Sequence, residues 1–427
     1  MKDHLQVKLS EALKADFTLA CEANHTYPSA VLREFCERYV AETGASSRPG
    51  AVASPQKSLE IRPKPIDQSL ETKSFRLGEL YSGPGGVGMG AALAEVLHEG
   101  RRYCTEPVWV NDFDKDSCET WKRNVLRHYR ETKGYSADCD VICGDVRAID
   151  IDALPDVDGL MFGFPCNDFS IVGEHKGFDG EYGPLYSYGV KVLYKDHQPD
   201  WFLAENVGGI TSSNEGLAFE KILADLEGAG YTLTAHKYKL EEYGVPQARH
   251  RVIIVGFRND LNKKFEVPAP TGERVTSGQA LSNIPEWSPN QERTRQSKTV
   301  EERLSFIKPG ENVWNAEALP DHLKLNVPRT QLSHIYKRLD PNKPAYTVTG
   351  SGGGGTHMYH WSENRALTNR ERACLQTFPL DFEFLGSKES VRKQIGMAIP
   401  VKGARLIVEA ILKTYAGVTY DSVKANL

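Results

Sequence analysis

Short, largely apolar runs recur along the middle of the chain, and each ends in glycine, proline, asparagine or an acidic residue. The clearest runs cover residues 77–81, 107–110, 159–162 and 201–204. Runs of this kind predict strands that are buried on both faces, as in a parallel sheet. Helical patterns of alanine, leucine and valine lie between them, such as the helix predicted to reach about His98. Strands that alternate with helices predict an α/β fold.

A different pattern opens the chain. Apolar and polar residues alternate over residues 5–9, with Gln6 and Lys8 on the polar face, which predicts a short strand. Two amphipathic helical patterns follow, one on each side of a break at residues 24–28. The segment 1–43 resembles a ribbon–helix–helix DNA-binding domain, which implies a homodimer whose paired strands place Gln6 and Lys8 in the major groove. A helical hairpin that docks on the main domain is the alternative.

Composition divides the rest of the chain. Residues 44–73 are rich in serine, proline, alanine and glycine without periodicity, so they predict a flexible linker. Residues 74–258 carry the alternation of strands and helices and predict a main domain, which the C-terminal segment 388–427 completes. Residues 259–387 are rich in proline, asparagine, glycine and charge, and predict a second, smaller domain.

Charge and cysteine usage exclude several classes of protein. A net charge of −5, with 40% hydrophobic and 26% charged residues, is ordinary for a globular protein and indicates no overall affinity for polyanions. The chain has no apolar run of membrane-spanning length and no apolar signal segment at its start. Its eight cysteines are scattered, without Cys-x-x-Cys pairs or zinc-type histidine spacing. We therefore expect a cytoplasmic protein without disulfides, bound metal or a membrane anchor.

One cysteine and three charged residues lie next to predicted strands. Cys166 comes shortly after one apolar run, and Glu205 directly ends another. Arg249 and Arg251 precede the apolar run 252–256 and, being two apart, project from one face of an extended segment. Ligands of open α/β sheets bind at the carboxyl ends of strands, where a cysteine of lowered pKa is a candidate nucleophile. An isolated cysteine is more often structural, but this one is grouped with a carboxylate and two guanidiniums.

A glycine-rich turn follows the first strand of the main domain, and acidic residues follow the next two strands. The residues are Tyr81, Ser82, Gly83, Gly85 and Gly86 in the turn, Asp112 and Phe113 after the second strand, and Asp145 after the third. Glycines at such a turn let a ligand approach the backbone, and an acid at the second strand end accepts hydrogen bonds from ribose hydroxyls. The pattern alone does not separate a dinucleotide from S-adenosylmethionine.

Three short motifs stand in the order found in one enzyme family. They are Pro165-Cys166, Glu205-Asn206-Val207 and Gln247-Ala248-Arg249-His250-Arg251. From about Phe75 to Ala416 the chain resembles the C5-cytosine DNA methyltransferases, since several weak motifs in register make chance agreement rare. The resemblance implies a Rossmann-like methyltransferase sheet with helices on both faces and a small, irregular target-recognition domain at 259–387. It also implies S-adenosylmethionine as cofactor and double-stranded DNA as partner.

The resemblance further implies roles for individual residues. Cys166 adds to C6 of a cytosine that is flipped out of the duplex, Glu205 binds the ring at N3, and Arg251 holds O2. Arg249 is expected to favour the thiolate and to contact a phosphate. The cofactor residues are those of the glycine turn and the strand ends, together with Pro165, Leu185 and Ala398. Further DNA contacts are expected from Phe164, Asn167, Gln247, Thr347 and Thr349.

The sequence leaves two other functions open. Methylation of cytosine in RNA would use the same chemistry, and a DNA-binding regulator with an inactive methyltransferase domain would keep the fold. Met397 stands where the family usually has asparagine, which removes a polar group near the methionine end of the cofactor. The complete set of Cys166, Glu205 and Arg251 favours an active enzyme. We therefore expect a DNA (cytosine-5-)-methyltransferase of the prokaryotic restriction–modification type that could also regulate its own promoter.

Overall fold

The computed structural model of the protein describes residues 70–133, 138–164, 185–325 and 333–427. The predicted N-terminal module with Gln6 and Lys8 lies outside the described residues, as does most of the predicted linker. Pro165, Cys166 and Asn167 also lie outside them.

A mixed eight-stranded sheet forms the centre of the described structure. Its strands are β1 (Glu71–Leu80), β2 (Val96–His98), β3 (Arg101–Asp112), β4 (Asp140–Cys143), β5 (Gly159–Gly163), β6 (Trp201–Val207), β7 (Tyr231–Lys239) and β9 (His250–Arg258). They lie in the order β2-β3-β1-β5-β6-β9-β7, and β4 pairs with the carboxyl end of β3. The pairings that join β4, β3, β1, β5 and β6 are parallel, whereas β9 is antiparallel to both of its neighbours. The predicted α/β fold with a largely parallel sheet is confirmed.

Helices and shorter strands complete the described elements. The short strands are β8 (Gln247–Ala248), β10 (Val267–Pro268), β11 (Ala345–Tyr346) and β12 (Ser422–Val423). The helices are α1 (Gly86–Leu93), α2 (Lys115–Trp121), α3 (Arg127–Lys133), α4 (Tyr186–Leu193), α5 (Leu217–Gly228), α6 (Ser277–Leu281), α7 (Lys298–Ser305), α8 (Asn369–Leu375), α9 (Lys388–Met397) and α10 (Val401–Ala416). None of the helices in the described ranges is long and apolar enough to cross a membrane.

Both faces of the sheet are covered, which explains why its strands are apolar throughout. Side chains alternate along a strand, so Leu160 and Phe162 of β5 pack with Ile222 of α5 on one face. Met161, between them, packs on the other face with Ile407 of α10. Burying a side chain of this size stabilises the fold by about 1.5–3 kcal/mol. The two clusters hold the strand ends in fixed positions relative to one another.

The helix after the glycine turn is shorter than its apolar pattern predicts. It was expected to reach about His98, but α1 ends at Leu93, and Ala94 leaves the helical region with φ −75° and ψ 130°. Glu99 and Gly100 both have positive φ and form a two-residue turn that joins β2 to β3 in an antiparallel pair. This pairing draws the residues before the turn into the sheet and overrides their helical pattern.

The C-terminal helices return to the start of the sheet. A Cβ atom on Gly86 of α1 would lie 2.4 Å from the carbonyl oxygen of Ile399, and one on Gly90 would lie 2.6 Å from Cβ of Ala404. Such close approach of two backbones requires glycine. Because Ile399 lies just before α10 and Ala404 lies in its first turn, the C-terminal segment encloses the glycine turn from one side.

Candidate active site

The ends of β5 and β6 bring the segment that leads to Cys166 next to Glu205. Gly163 pairs with Glu205 in the parallel register, and a Cβ atom on Gly163 would lie 3.2 Å from Oε2 of Glu205. Asn206 donates a hydrogen bond from Nδ2 to the carbonyl oxygen of Phe164 at 3.2 Å. Asn206 was not among the predicted site residues, although it lies within the Glu-Asn-Val motif. Its bond holds the chain where it leaves β5, two residues before the cysteine.

Glu205 and Arg251 form a buried ion pair at this edge of the sheet. Nε of Arg251 lies 2.8 Å from Oε1 of Glu205, and the side chains are 13% and 15% exposed. The antiparallel pairing of β6 with β9 produces the contact, since Val207 stands opposite Arg251. Burial raises the pKa of the Glu205 carboxyl, and Arg251 and Arg249 oppose that rise. The pair therefore offers a proton-binding carboxyl next to a fixed cation, in surroundings that largely exclude water.

Arg249 occupies a different position from the one expected. It is 1% exposed, and its guanidinium donates hydrogen bonds to the carbonyl oxygens of Val348 at 3.0 Å, Gly396 at 2.9 Å and Met397 at 3.4 Å. A buried group with these partners is not available to a DNA phosphate, so the expected phosphate contact is not supported. Arg249 instead joins the strand region around Val348 to the end of α9. It still acts on Glu205 through its charge.

Gln247 is also structural in this arrangement. Its side chain is fully buried; Nε2 donates to the Leu375 carbonyl at 2.9 Å and to Oε1 of Gln376 at 2.8 Å. Its Oε1 accepts from the Val348 backbone N–H at 2.9 Å. No polar atom of this side chain is left for DNA, which corrects the sequence prediction. Gln376 was missed from the sequence because its partner stands 129 residues away.

The other residues predicted to contact DNA differ in accessibility. Phe164 is 4% exposed and packs on Phe162 and Tyr186, so its ring belongs to the core. Thr347 donates its hydroxyl hydrogen to the Ala248 carbonyl at 2.6 Å, which supports the pairing of β8 with β11. Thr349 is exposed. Of these residues, Thr349 is the one whose side chain faces solvent.

The glycine turn after β1 is bent by unusual backbone angles. Tyr81 has φ 59°, and Gly83 and Gly85 have φ 54° and 99°. The Ser82 N–H donates to the Asn111 carbonyl at 3.0 Å, which fixes the turn to β3. A Cβ atom on Gly83 would meet nothing within 4 Å, so open space adjoins the turn there. The turn thus provides a cradle in which a ligand can approach the backbone.

The end of β3 supplies a carboxylate and an aromatic ring beside this cradle. Oδ2 of Asp112 accepts from the Gly83 N–H at 2.8 Å, and Oδ1 accepts from the Asp114 N–H at 2.9 Å. Phe113 is 72% exposed, and Nζ of Lys393 lies 5.7 Å from the centre of its ring. Lys393 was not predicted, because nothing in the sequence connects α9 with β3. The group presents a carboxylate next to an exposed aromatic ring.

Asp145, Leu185 and Ala398 complete the predicted cofactor residues in the described part of the chain. Asp145 forms an ion pair with Arg147 at 2.6 Å, and hydrogen bonds from Arg147 lower the pKa of its carboxyl. The Leu185 carbonyl accepts from the Tyr81 hydroxyl at 2.6 Å. Cβ of Ala398 would lie 3.2 Å from a Cβ atom on Gly86. All three therefore adjoin the turn or the strand ends, and the set fits a ligand with an adenine ring and ribose hydroxyls.

The described side chains contain no group of three or more histidine, cysteine, aspartate or glutamate residues that could hold a metal ion.

Comparison with known proteins places this geometry in a family. The model of the family described as C-5 cytosine-specific DNA methylase matches residues 75–413. Type II methyltransferase M.BbvI of Brevibacillus brevis is 54% identical over 363 residues, which cover 82% of this chain and 94% of that protein. Type II methyltransferase M.NgoFVII of Neisseria gonorrhoeae is 39% identical over 356 residues, which cover 81% and 88%.

A solved structure shows the same fold. An Escherichia coli protein, described as a DNA modification methyltransferase encoded within a prophage, matches with a TM-score of 0.61 at 21% sequence identity. The match covers 80% of this chain and 99% of that one. The family model spans more than half of the chain and includes the strand ends that carry Glu205 and Arg251. The chain belongs to the C-5 cytosine-specific DNA methylase family and is a DNA (cytosine-5-)-methyltransferase.

Proposed function

We propose that this enzyme transfers a methyl group from S-adenosylmethionine to C5 of cytosine in a specific duplex DNA site, as the methylating enzyme of a restriction–modification system. The observation that carries the proposal is the buried Glu205–Arg251 pair beside the end of β5, from which the chain leads to Cys166. The names of similar Type II methyltransferases support the restriction–modification setting.

Each residue of the proposed site has one task. The target cytosine must leave the duplex, because its ring atoms are not accessible in the stack. The Cys166 thiolate forms a bond to C6 of the ring. Glu205 shares a proton with N3, and this proton stabilises the negative charge that the addition places on the ring. Arg251 binds O2 and keeps Glu205 in place. S-adenosylmethionine, when bound, would supply the methyl group to C5 and leave as S-adenosylhomocysteine. C5 would then lose its proton to solvent, and the bond between sulfur and C6 would break to release the thiolate.

The cofactor residues fit S-adenosylmethionine, which supplies an electrophilic methyl group when bound. Asp112 would accept from the ribose hydroxyls, and the exposed Phe113 ring would stack on adenine. Asp145 would accept from the exocyclic amine. The turn, with Tyr81, Ser82, Gly83, Gly85 and Gly86, would enclose the methionine portion together with Pro165, Leu185 and Ala398.

We assign the described structure to two functional parts. Residues 74–258 with 388–427 form the catalytic domain, and the packing of α1 against Ile399 and Ala404 supports this division. Residues 259–387 form the target-recognition domain. Its exposed Thr349 and the basic residues near it would face the duplex.

We further propose that residues 1–43 form a dimerising DNA-binding module joined through the linker 44–73. The alternation that leaves Gln6 and Lys8 on one polar face supports the proposal. Sedimentation of the full-length chain tests it, since a strictly monomeric protein would contradict dimerisation.

Replacing Glu205 with glutamine tests the proposed catalytic role. The amide fills the same space and still accepts from Arg251, but it does not stabilise a protonated ring. We expect methyl transfer to fall by about 100-fold or more, while the affinity for duplex DNA stays near that of the wild type. Transfer of labelled methyl groups to duplex DNA and to tRNA measures the rate and separates the two substrates. Equal losses of binding and turnover would contradict the role.

A further inference from the structure

Two arginines and a histidine lie buried beneath the glycine-rich loop 350–355. Arg372 of α8 is 1% exposed, Arg392 of α9 is 9% exposed and His357 is 7% exposed. A Cβ atom on Gly352 would lie 3.0 Å from Nε of Arg392 and 3.3 Å from Nδ1 of His357. The loop backbone therefore lies directly against both side chains. We call Arg372, Arg392 and His357 the loop cluster.

The guanidiniums of the loop cluster lack the partners that buried charges require. Within the described residues, Nη1 and Nη2 of Arg372 and Nε of Arg392 have no hydrogen-bond partner. The neighbouring carboxylate of Glu371 is already engaged, because Arg365 donates to both of its oxygens at 2.7 and 2.8 Å. Glu389 lies 3.8 Å from Arg392, and its side chain is 75% exposed. Burial of charge without a compensating acceptor is strongly unfavourable.

Electrostatics joins the three side chains into one positive site. Burial, with a further contribution from Arg392, lowers the pKa of Arg372 to about 10. Burial, followed by Arg372 and Arg392, lowers the pKa of His357 to about 4. At neutral pH the site thus holds two guanidinium charges and an uncharged imidazole. The buried carboxylate of Glu371 offsets part of the charge of Arg372, although Arg365 already donates to both of its oxygens.

We propose that the loop cluster binds a backbone phosphate of duplex DNA, with Arg392 as the principal contact and Arg372 behind it. A phosphate brings several acceptor oxygens and a negative charge, which guanidiniums bind well. Glycines carry no side chains, so the loop backbone permits an anion to approach the cluster closely. The inference rests on the proposed action on duplex DNA.

The position of the loop supports DNA as the source of the phosphate. The exposed Thr349 directly precedes the loop. Gly396 of α9 packs against Gly350, where a Cβ atom would lie 1.9 Å from the Gly350 nitrogen. Ala398 follows on the same chain segment and adjoins the glycine turn of the proposed cofactor site, so the loop lies near the proposed active site.

The salt dependence of DNA binding tests the proposal. Arg392→Met removes the contact, and Arg392→Lys keeps the charge. Arg405→Met is the matched control, because Arg405 lies on α10, is 41% exposed and is paired with Glu409 at 2.7 Å. Fluorescence anisotropy with a labelled duplex gives the dissociation constant between about 50 and 200 mM salt. For Arg392→Met we expect the slope of log Kd against log salt to fall by about 0.9, the value for one phosphate contact.

The control variants and a second duplex make the outcome decisive. Arg392→Lys and Arg405→Met should retain the wild-type slope, and Arg392→Met should weaken binding equally for duplexes with and without the target site. An unchanged slope in Arg392→Met, even with a lower melting temperature, would overturn the proposal and make the cluster structural. If the slope fell by the same amount in Arg405→Met, the change would be a general effect of charge, and the proposal would also be overturned. Failure of the proposed function would appear separately, as absent methyl transfer by the wild type.

Discussion

Replacing Arg249 with methionine tests whether this residue has a structural role or contacts a DNA phosphate, as the sequence predicts. The guanidinium is buried and holds the carbonyls of Val348, Gly396 and Met397. These carbonyls belong to two chain segments, one around Val348 and one at the end of α9, which the guanidinium joins. Methionine fills much of the same volume and donates no hydrogen bond. The variant therefore removes the connection with little change in packing.

The expected loss of stability follows from the two shorter hydrogen bonds. Val348 and Gly396 accept at 3.0 and 2.9 Å, and both bonds are buried. An acceptor left unsatisfied in such surroundings costs about 1–3 kcal/mol, so the pair accounts for roughly 2–6 kcal/mol. Removing a buried charge whose desolvation is unfavourable offsets part of this loss. We expect the free energy of unfolding to fall by about 2–4 kcal/mol.

Urea unfolding followed by tryptophan fluorescence measures this change, with Arg405→Met as a surface control expected to stay within about 0.5 kcal/mol of the wild type. Anisotropy titrations with duplex DNA should give the same salt slope for Arg249→Met as for the wild type. The reasoning is refuted if the variant keeps wild-type stability while its salt slope falls by about 0.9, the loss of one phosphate contact.

Two further predictions concern the glycine turn and the strand beneath it. Glu79 is buried, and burial is the main cause that raises the pKa of its carboxyl from 4.5 to about 8. The native state therefore binds the carboxyl proton more tightly than the unfolded chain does. This contribution to stability is complete below about pH 4.5 and is lost as pH rises toward 8, so urea unfolding at several pH values should show a decline that is absent in Glu79→Gln. Gly86→Ala would place Cβ 2.4 Å from the Ile399 carbonyl and should cost about 1–3 kcal/mol through overpacking. The comparison variant is Gly100→Ala, where φ is positive but no atom lies within 4 Å of the added Cβ; it should cost about 1–2 kcal/mol from backbone strain alone. Calorimetry then compares the affinity of Gly86→Ala and the wild type for S-adenosylmethionine. Equal affinities would show that the contact of Gly86 with Ile399 does not shape the cofactor site.

Local patterns predict the parts of the fold that depend on local chemistry. The strand ends and the glycine turn follow from apolar runs that stop at glycine, asparagine or acidic residues. The ion pair of Glu205 with Arg251 depends on the sheet order, because the antiparallel β9 lies directly beside β6. The order of the sheet itself is set by contacts that no local pattern records.

The roles of Arg249 and Gln247 show why the rest could not be predicted. Both residues stand in a motif next to a strand, and both carry side chains suited to DNA. Their partners lie 99 to 147 residues away, at Val348, Gln376 and Gly396. Burial of a polar side chain depends on such distant acceptors, which tertiary structure alone brings into reach. The same holds for the early end of α1, where strand pairing overrides a helical pattern.

The most direct test of the proposed chemistry is covalent capture of the target base by Cys166. Once the methylation site has been mapped, a duplex with 5-fluorocytosine at the target position is incubated with the enzyme and S-adenosylmethionine. Fluorine at C5 is not lost as the proton is, so the bond between sulfur and C6 persists. We predict a complex that resists SDS for the wild type and its absence for Cys166→Ala. No complex with the wild type, or an equal amount with Cys166→Ala, would contradict the account.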